Sequence, residues 1–517
     1  MAKRLSEALL GESRFKNALL GTITGYFQYA ILAVFQFALA PVVLRVSGQE
    51  VYGSYGVIMQ ILGMIALLDL GFSVSAGRFL AQAHQREQGW SRYFQIFRVV
   101  RMYCASVGVV GCLVCFGLSF FFNHWFSIKP AYQGEMRHAL RLLAMWLAAR
   151  SLIIPYTLGV LSLQWIAVSN LCGLLSGILR LGVSLVLVLK GWSITGLVLG
   201  NITAEAANLF IQRGIFVRQF KDVAEAARPP AADFKLFKQV FGFGLLVFLS
   251  QLSWQIGFQS GMVVTGILYG AWASSVYFST YLPASTMYQV VLRFFDSFVP
   301  GLNQIWGSQN PGAIRHVALR MYKYGAAMMW PIPALIFLYG ERIVTAWVGR
   351  AQFAGHSMLL AIAVFSLFLT VTRSSDIVLN VAGRIRVLNI IAVCDGFVNV
   401  GLAFFLGRRL GIAGVMWACV IAVFPRNVYL NVTALRILGL SMGEFARSFG
   451  LGFLLLGALC WAVIAAVAGR HFMWPSKYGV FAEVAVLYLA WLVVVVTGIL
   501  ERNDRSRLVQ AVTSRFA

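Results

Sequence analysis

Long apolar segments recur along the chain, with mostly short links between them. We count fourteen, near residues 21–44, 52–80, 102–122, 139–161, 166–189, 193–213, 240–267, 273–299, 324–340, 355–379, 386–407, 411–435, 445–468 and 477–500. About 20 helical residues are needed to cross a bilayer core of about 30 Å. Hydrophobic residues make up 60% of the chain and charged residues 12%, whereas soluble proteins have about 45–50% and 25%. The sequence therefore predicts an all-α polytopic membrane protein with about fourteen transmembrane helices.

The two halves of the chain repeat short patterns in the same order. The pairs are Phe15-Lys16 with Phe237-Lys238, VYGSY at Val51 with VYFST at Val276, Asp69 with Asp296, and SITGLVLGNI at Ser193 with LGIAGVMWACVI at Leu410. Their offsets of 218 to 227 residues predict two pseudo-repeated six-helix lobes, a transporter architecture with the substrate site at the repeat interface. We assign the lobes to residues 1–217 and 239–440, a charged linker to 218–238, and a C-terminal helix pair with a basic tail to 441–517.

Basic residues are distributed unevenly between the two sets of links. With the N-terminus inside, the inner segments hold 26 Lys and Arg residues and the outer segments hold 11. Because positively charged residues stay on the cytoplasmic side, we expect both termini in the cytoplasm. The net charge of +24 follows from this bias. Since the basic residues are dispersed among links, no nucleic-acid partner is expected.

Patterns in both halves of the chain are similar to those of one transporter family. The stretch from Pro41 to Gln82 contains a GQEVYGSY turn and then D-L-G-x-x-x-S-A-x-R-F from Asp69. The later patterns are LYGERIVTAWVG from Leu338, VLNVAGRIRVLN from Val378 and FVNVGLAFFLGRRLGIAGVMWA from Phe397. In these patterns the chain resembles the polysaccharide-transporter branch of the multidrug/oligosaccharidyl-lipid/polysaccharide (MOP) superfamily.

This resemblance implies a flippase in the bacterial inner membrane. Its substrate would be an undecaprenyl-diphosphate-linked oligosaccharide, an O-antigen or exopolysaccharide repeat unit, and its partners would include polysaccharide-synthesis proteins. No cofactor is implied, apart from Na⁺ or H⁺ as a coupling ion. The peptidoglycan-precursor flippases of the superfamily place an arginine in the second helix where this chain has Asp69, so the resemblance does not favour a lipid II substrate.

Ten charged residues fall well inside the apolar segments. They are Arg150, Arg180, Arg293, Arg373 and Arg426, with Asp69, Glu205, Asp296, Asp376 and Asp395. At about 3 kcal/mol each, ten lipid-facing charges would cost about 30 kcal/mol, several times the net stability of a typical fold. We therefore expect these side chains to face the protein interior or a wet cavity.

Helical spacing places other polar residues beside some of these charges. Arg180 shares one helical face with Asn170, Gly173 and Gly177. Guanidinium groups bind phosphate oxygens bidentately, and amides, hydroxyls and aromatic rings suit a sugar. We therefore predict a cavity that binds a diphosphate and a glycan. Its predicted residues are Arg150, Arg180, Arg293, Arg373, Gln251, Gln255, Gln36 and Tyr26.

Several of these residues have a structural alternative. Arg293 and Arg373 each precede an acid by three residues and could be neutralised on their own helix. The glutamines could equally hold helices together. Arg426, toward the cytoplasmic end of its segment, could snorkel, and Glu483 is expected on a solvated face.

Asp395 and Asn399 lie four residues apart in the eleventh segment and share a helical face. They could supply oxygen ligands to Na⁺ or carry a coupling proton, and Asp69 is a third candidate. Some flippases of the MOP superfamily, which the chain resembles, are thought to hold a cation on this helix. In those flippases the acid and the amide stand in the opposite order. The alternative for Asp395 is a buried acid paired with an arginine. No further metal site is predicted.

Two other functions compete with the flippase. A cation-coupled multidrug or metabolite exporter would favour an acidic cavity, which five intramembrane arginines oppose. A membrane-embedded polysaccharide polymerase or ligase would have a large external loop, whereas the longest outer link here is about residues 123–138. The absence of a Gly-Lys dipeptide excludes a Walker-type phosphate loop. We therefore expect a transporter and not an enzyme.

The predicted orientation can be tested with single cysteines. A cysteine in place of Pro229 or Gln510 should not react with a membrane-impermeant thiol reagent in intact cells, because both positions are predicted to be cytoplasmic. Permeabilised cells are the control, in which both positions should react. Strong labelling in intact cells would contradict the assignment of the lobes.

Overall fold

The computed structural model describes residues 14–85, 89–163, 165–226, 234–296, 302, 305–306, 310–470 and 478–501. Within them the chain forms sixteen long α-helices and no β-strand. The helices are α1 (Arg14–Val46), α2 (Gly48–Ala66), α3 (Phe72–Gln85), α4 (Gly89–Trp125), α5 (Pro130–Ser162), α6 (Ile166–Leu189), α7 (Ser193–Ala226), α8 (Phe234–Tyr269), α9 (Ala271–Asp296), α10 (Pro311–Met329), α11 (Pro331–Val348), α12 (His356–Val381), α13 (Ile385–Leu410), α14 (Ile412–Ile437), α15 (Met442–Arg470) and α16 (Gly479–Val494). The predicted all-α class is confirmed.

Twelve stretches of the described residues are long and apolar enough to cross a membrane. Each overlaps one of the predicted segments. The seventh predicted segment and the described part of the eighth are helical as well, as α8 and α9, although neither is among the twelve. The chain is therefore a multi-pass membrane protein.

The described residues form two compact units. The first comprises the residues up to Gln255 together with Gly266–Ser275. The second comprises Ile256–Thr265 together with the residues from Val276 onward. Both units therefore include part of α8.

Helix extends into the predicted linker from both sides. α7 continues to Ala226, and α8 begins at Phe234. Residues 227–233, which include the two prolines of this link, lie outside the described residues.

Gly53, in the VYGSY pattern, occupies a position in the first unit where no side chain fits. A Cβ atom there would lie 1.8 Å from the carbonyl oxygen of Ala271 and 2.9 Å from the backbone nitrogen of Ser275. The backbones of α2 and α9 therefore touch at this point. Small residues allow such close helix contacts in membranes, which gives the glycine of the pattern a packing role.

Aromatic and hydrogen-bonded contacts hold the helices of the first unit together. Tyr93 of α4 stacks on Phe220 of α7, with ring centroids 5.6 Å apart. The hydroxyl of Ser75 in α3 donates a hydrogen bond of 2.6 Å to the carbonyl of Val240 in α8. Both Ser75 and Val240 are fully buried, so α3 is firmly placed against its neighbours.

The second predicted segment, from Tyr52 to Leu80, is not one continuous helix, and this expectation was wrong. α2 ends at Ala66, and a 3₁₀ turn spans Leu67–Asp69. Leu70 then adopts a left-handed conformation with φ of 49°, and Gly71 follows with φ of 70°. The Asp-Leu-Gly sequence thus breaks the crossing, and α3 begins anew.

Asp69 caps the helix that starts after the break. Its Oδ2 accepts a hydrogen bond of 2.9 Å from the backbone N–H of Ser73, and its Oδ1 accepts one of 2.7 Å from the Ser73 hydroxyl. The first N–H groups of a helix have no partner within the helix. The acid inside the apolar segment therefore supplies a hydrogen-bond acceptor for a backbone N–H at the start of α3.

Pro331 divides the ninth predicted segment into α10 and α11. Because proline has no N–H, it cannot donate to the carbonyl of Ala327 four residues earlier. The indole N–H of Trp491 in α16 donates to that carbonyl instead, at 2.7 Å. Likewise, the indole of Trp461 in α15 donates to the carbonyl of Trp330 at 2.8 Å. The C-terminal helices thus complete the hydrogen bonding at the proline.

Glu483 does not lie on a solvated face, and that expectation was wrong. Its side chain is buried, and it accepts a hydrogen bond of 2.6 Å from the hydroxyl of Tyr339 in α11. The period of α16 alone cannot reveal this contact, because α16 is apolar on all sides.

Replacing Trp491 by phenylalanine should destabilise the second unit. The substitution keeps most of the buried ring but leaves the Ala327 carbonyl without a partner, at a cost of about 1–3 kcal/mol. Thermal unfolding of the purified protein in detergent should show a lower midpoint. The matched control is Trp417→Phe, because the indole of Trp417 donates to the exposed Ser357 hydroxyl. An equal loss in both variants would contradict this role of Trp491.

Candidate functional site

Two neighbouring cavities lie within the first unit. The Asp69 cavity has a volume of about 640 Å³, and the Arg180 cavity has a volume of about 510 Å³. They share four lining residues, which are Gly63, Ala66, Leu147 and Arg150. Arg150 of α5 is therefore reached from both.

The Asp69 cavity lies beside the break between α2 and α3. Besides Asp69 and Arg150, its polar lining includes Ser73, Gln251 and Gln255. Gln255 also donates a hydrogen bond of 3.3 Å to the carbonyl of Gln60 in α2. One glutamine thus combines both roles considered from the sequence, since it links two helices and lines a cavity.

The Arg180 cavity is lined by α1, α2, α5, α6 and α7. Arg180 lies on the same face of α6 as Gly173 and Gly177, which also line the cavity, as the spacing predicted. In the part of the chain that the structure describes, no carboxylate lies within ion-pair distance of Arg180. A guanidinium without a counter-ion is costly within a membrane, so this group is well suited to receive an anion.

Three amide side chains of the Arg180 cavity were missed by the sequence interpretation. They are Gln28 of α1 and Asn201 and Asn208 of α7. Asn201, Glu205 and Asn208 follow one another at intervals of four and three residues, so a helical face of α7 could have been found from the sequence. Gln28 was missed because the polar face chosen for α1 was the one that includes Tyr26 and Gln36.

Arg150 of α5 forms an ion pair with Glu205 of α7. Its Nε contacts Glu205 Oε1. Glu205 Oε2 also accepts a hydrogen bond of 2.7 Å from the indole N–H of Trp146. The side chain of Arg150 is 31% exposed and that of Glu205 is 36% exposed, so the pair is partly open to the cavities. No acid lies near Arg150 on its own helix, and its partner comes from α7.

The two cavities together are formally neutral and not cationic. Arg150 and Arg180 are balanced by Asp69 and Glu205. The two arginines predicted to bind a diphosphate in this unit therefore lie beside an equal number of acids. The two acids differ in their engagement, because Asp69 caps α3 and Glu205 pairs with an arginine.

Four of the eight predicted binding residues line these cavities, namely Arg150, Arg180, Gln251 and Gln255. Gln36 is exposed on α1 and lines neither cavity. The side chains of Tyr26 and Arg293 lie outside the described residues, although both positions are helical.

The second unit holds a buried group of charges on α12, α13 and α14. Arg426 lies 3.5 Å from Asp376 and 3.6 Å from Asp395. Its side chain is only 14% exposed, so the alternative that it snorkels was wrong. Arg373 lies on α12 one turn before Asp376, and its local pairing stays a prediction.

Asn399 lies one turn after Asp395 on α13. Its side-chain amide donates a hydrogen bond of 2.8 Å to the carbonyl of Gly257. One buried oxygen of Asp395 and the amide oxygen of Asn399 accept no hydrogen bond within the described part of the chain. Such oxygens are the kind of ligand that Na⁺ or a proton requires. Among the described residues there is no group of three or more His, Cys, Asp and Glu residues that could hold a metal ion.

The fold is similar to that of known membrane transporters. The structure of the lipid II flippase MurJ in an inward closed conformation matches with a TM-score of 0.65 and 13% identity, over 93% of this chain and 100% of that chain. A multidrug resistance MATE family transporter in an inward-facing conformation matches with a TM-score of 0.63 and 15% identity, over 81% of this chain and 98% of that chain. A MOP superfamily transporter from Pyrococcus furiosus matches with a TM-score of 0.52 and 16% identity, over 81% of this chain and 96% of that chain. The helices therefore have the fold of MOP superfamily transporters.

The sequence also matches a protein family. The family model described as "Polysaccharide biosynthesis protein" matches residues 16–306, which is more than half of the chain. The chain belongs to this polysaccharide biosynthesis protein family. The resemblance to the MOP superfamily drawn from the sequence patterns is confirmed. No curated protein matches the sequence.

Proposed function

We propose that the protein is a flippase that moves an undecaprenyl-diphosphate-linked oligosaccharide from the inner to the outer leaflet of the bacterial inner membrane by alternating access. The observation that carries the proposal is the pair of cavities that share Arg150, one of which also contains Arg180 without a counter-ion. Family membership and fold support transport. The glycan would be an O-antigen or exopolysaccharide repeat unit, delivered by polysaccharide-synthesis proteins on the cytoplasmic side.

The first unit contains side chains that suit each part of such a substrate. Arg150 and Arg180 would bind the diphosphate oxygens through paired N–H groups. The amides of Gln28, Asn201 and Asn208 would bind sugar hydroxyls beside them. The Asp69 cavity has mostly apolar walls, with Val107 and Ile154 among them, and would take the first isoprene units of the lipid.

Coupling to Na⁺ or H⁺ is the second part of the proposal. Asp395 and Asn399 would bind the ion, and their buried oxygens without hydrogen-bond donors support this role. The ion would bind Oδ1 of Asp395, while Oδ2 stays 3.6 Å from Arg426. Asp69 is a weaker candidate, because both of its oxygens accept hydrogen bonds from Ser73.

An exporter of cationic molecules is the second candidate function. The presence of Asp69 and Glu205 in the cavities favours it. However, one acid caps a helix and the other is neutralised by Arg150. Neither carboxylate is therefore free for a cationic substrate, whereas Arg180 is free for an anionic one.

Alanine in place of Arg150 or Arg180 should block export of the surface polysaccharide while the protein still accumulates in the membrane. Loss of a charge-assisted hydrogen bond costs about 1.5–3 kcal/mol, which corresponds to about a tenfold to hundredfold loss of affinity. Lysine variants should be partly active, because lysine keeps the charge but loses the planar fork. Export would be measured against protein level.

The matched control is Arg141→Ala on the same helix. Arg141 lies over the rings of Phe116 and Phe120 at 5.6 Å and lines neither cavity. Its loss should leave export near normal. Normal export by both Arg150→Ala and Arg180→Ala would contradict the diphosphate-binding role and favour the exporter.

Asp395→Asn should abolish the dependence of transport on an ion gradient. The amide cannot carry the charge or the proton, but it is similar in size, so protein level and glycolipid binding should change little. Transport into proteoliposomes with an imposed Na⁺ or H⁺ gradient is the measurement. If the unmodified protein responds to neither gradient, coupling through α13 is excluded.

A further inference from the structure

The Arg150–Glu205 pair differs from the buried charges of the second unit in how firmly it is held. Arg150 contacts one acid and is 31% exposed. Arg426 contacts two acids and is 14% exposed, and one of its partners, Asp395, is 6% exposed. Exposed ion pairs are weak and exchange partners readily, whereas breaking a buried pair is costly. The pair in the first unit is therefore the one that a ligand can open.

The two pairs occupy corresponding helices of the repeat. Arg150 on α5 corresponds by an offset of 226 residues to Asp376 on α12, and Glu205 on α7 corresponds by 221 residues to Arg426 on α14. Both offsets lie within the range of the sequence repeats. The same helix pair is thus joined in each unit by charges of exchanged sign, and only the first unit presents its arginine to the two described cavities.

Glu205 keeps a partner when Arg150 leaves it. Its Oε2 accepts the indole hydrogen bond of Trp146, which lies on α5 and also lines the Arg180 cavity. The carboxylate therefore stays beside the arginine and is ready to recapture it. Asp69 cannot act in this way, because Ser73 occupies both of its oxygens.

From this geometry we infer that Glu205 competes with the substrate headgroup for Arg150. A lipid-linked diphosphate replaces Glu205 as the partner of the guanidinium when it binds, and Glu205 replaces the diphosphate when it leaves. This inference rests on the proposed function and adds a residue that limits affinity and promotes release. It also requires a strongly anionic headgroup, since the headgroup must bind Arg150 more tightly than the single carboxylate of Glu205 does.

The test is the affinity of the purified full-length protein for farnesyl diphosphate, with farnesol as the uncharged reference. Glu205→Gln keeps an acceptor for Trp146 but removes the competing charge. Its Kd for farnesyl diphosphate should be about fivefold lower than that of the unmodified protein. A merely structural role would raise the Kd. If the glutamine variant does not accumulate, Glu205→Asp should give an intermediate decrease, because the shorter side chain reaches Arg150 less well.

Two further variants make the result specific. Glu135→Gln removes an acid of the same unit that accepts a hydrogen bond from the backbone N–H of Thr195 and lines neither cavity, and it should leave the Kd unchanged. In the Arg150→Ala background, Glu205→Gln should no longer tighten binding. Equal tightening by Glu135→Gln, or tightening without Arg150, would overturn the competition.

The outcomes separate this inference from the proposed function. If the unmodified protein binds farnesyl diphosphate through Arg150 and Glu205→Gln binds no tighter, competition by Glu205 is wrong and the flippase proposal stands. If neither protein binds it, both proposals fail. Binding that only Glu205→Gln shows would support competition directly.

Discussion

The absence of water in the bilayer core is the constraint on which the rest of this structure depends. Every backbone N–H and carbonyl at that depth must find a partner within the protein. Within the described residues, helices are interrupted at two places in predicted crossings, and a side chain supplies a missing hydrogen bond at each one. Asp69 accepts hydrogen bonds from Ser73 where α3 begins, and Trp491 donates to the carbonyl that Pro331 leaves open. The C-terminal helix pair is therefore part of the second unit's hydrogen bonding and not simply an addition to it.

The same constraint governs the charged side chains. Arg150 and Arg426 are each neutralised by acids of other helices, so the cost of burial is shared across helix contacts. The number of partners then separates the two arginines by function. Arg426 contacts two acids on two other helices, which suits a structural role in the second unit. Arg150 has one acid and faces two cavities, which suits a group that meets a ligand.

Hydropathy alone predicted most of the fold, because crossing a bilayer needs long apolar segments. The intramembrane charges led to Arg150, Arg180 and Asp69, and the amides expected to suit a sugar included Gln251 and Gln255. All five residues line the cavities. The partner of Arg150 could not be predicted, because pairing between helices depends on their packing and not on sequence spacing. The break at Asp69 was missed for a different reason. Its Asp-Leu-Gly sequence is a local helix-start signal, but the apolar residues around it indicate a continuous helix.

The capping role of Asp69 changes how mutations at this position are to be interpreted. An intramembrane acid is usually replaced by alanine to ask whether it takes part in transport. Here alanine removes both the charge and the helix cap, so a loss of export has two possible origins. Asparagine caps helices about as well as aspartate but has no charge, and it therefore separates folding from chemistry. At Asp69, the informative substitution is therefore the amide.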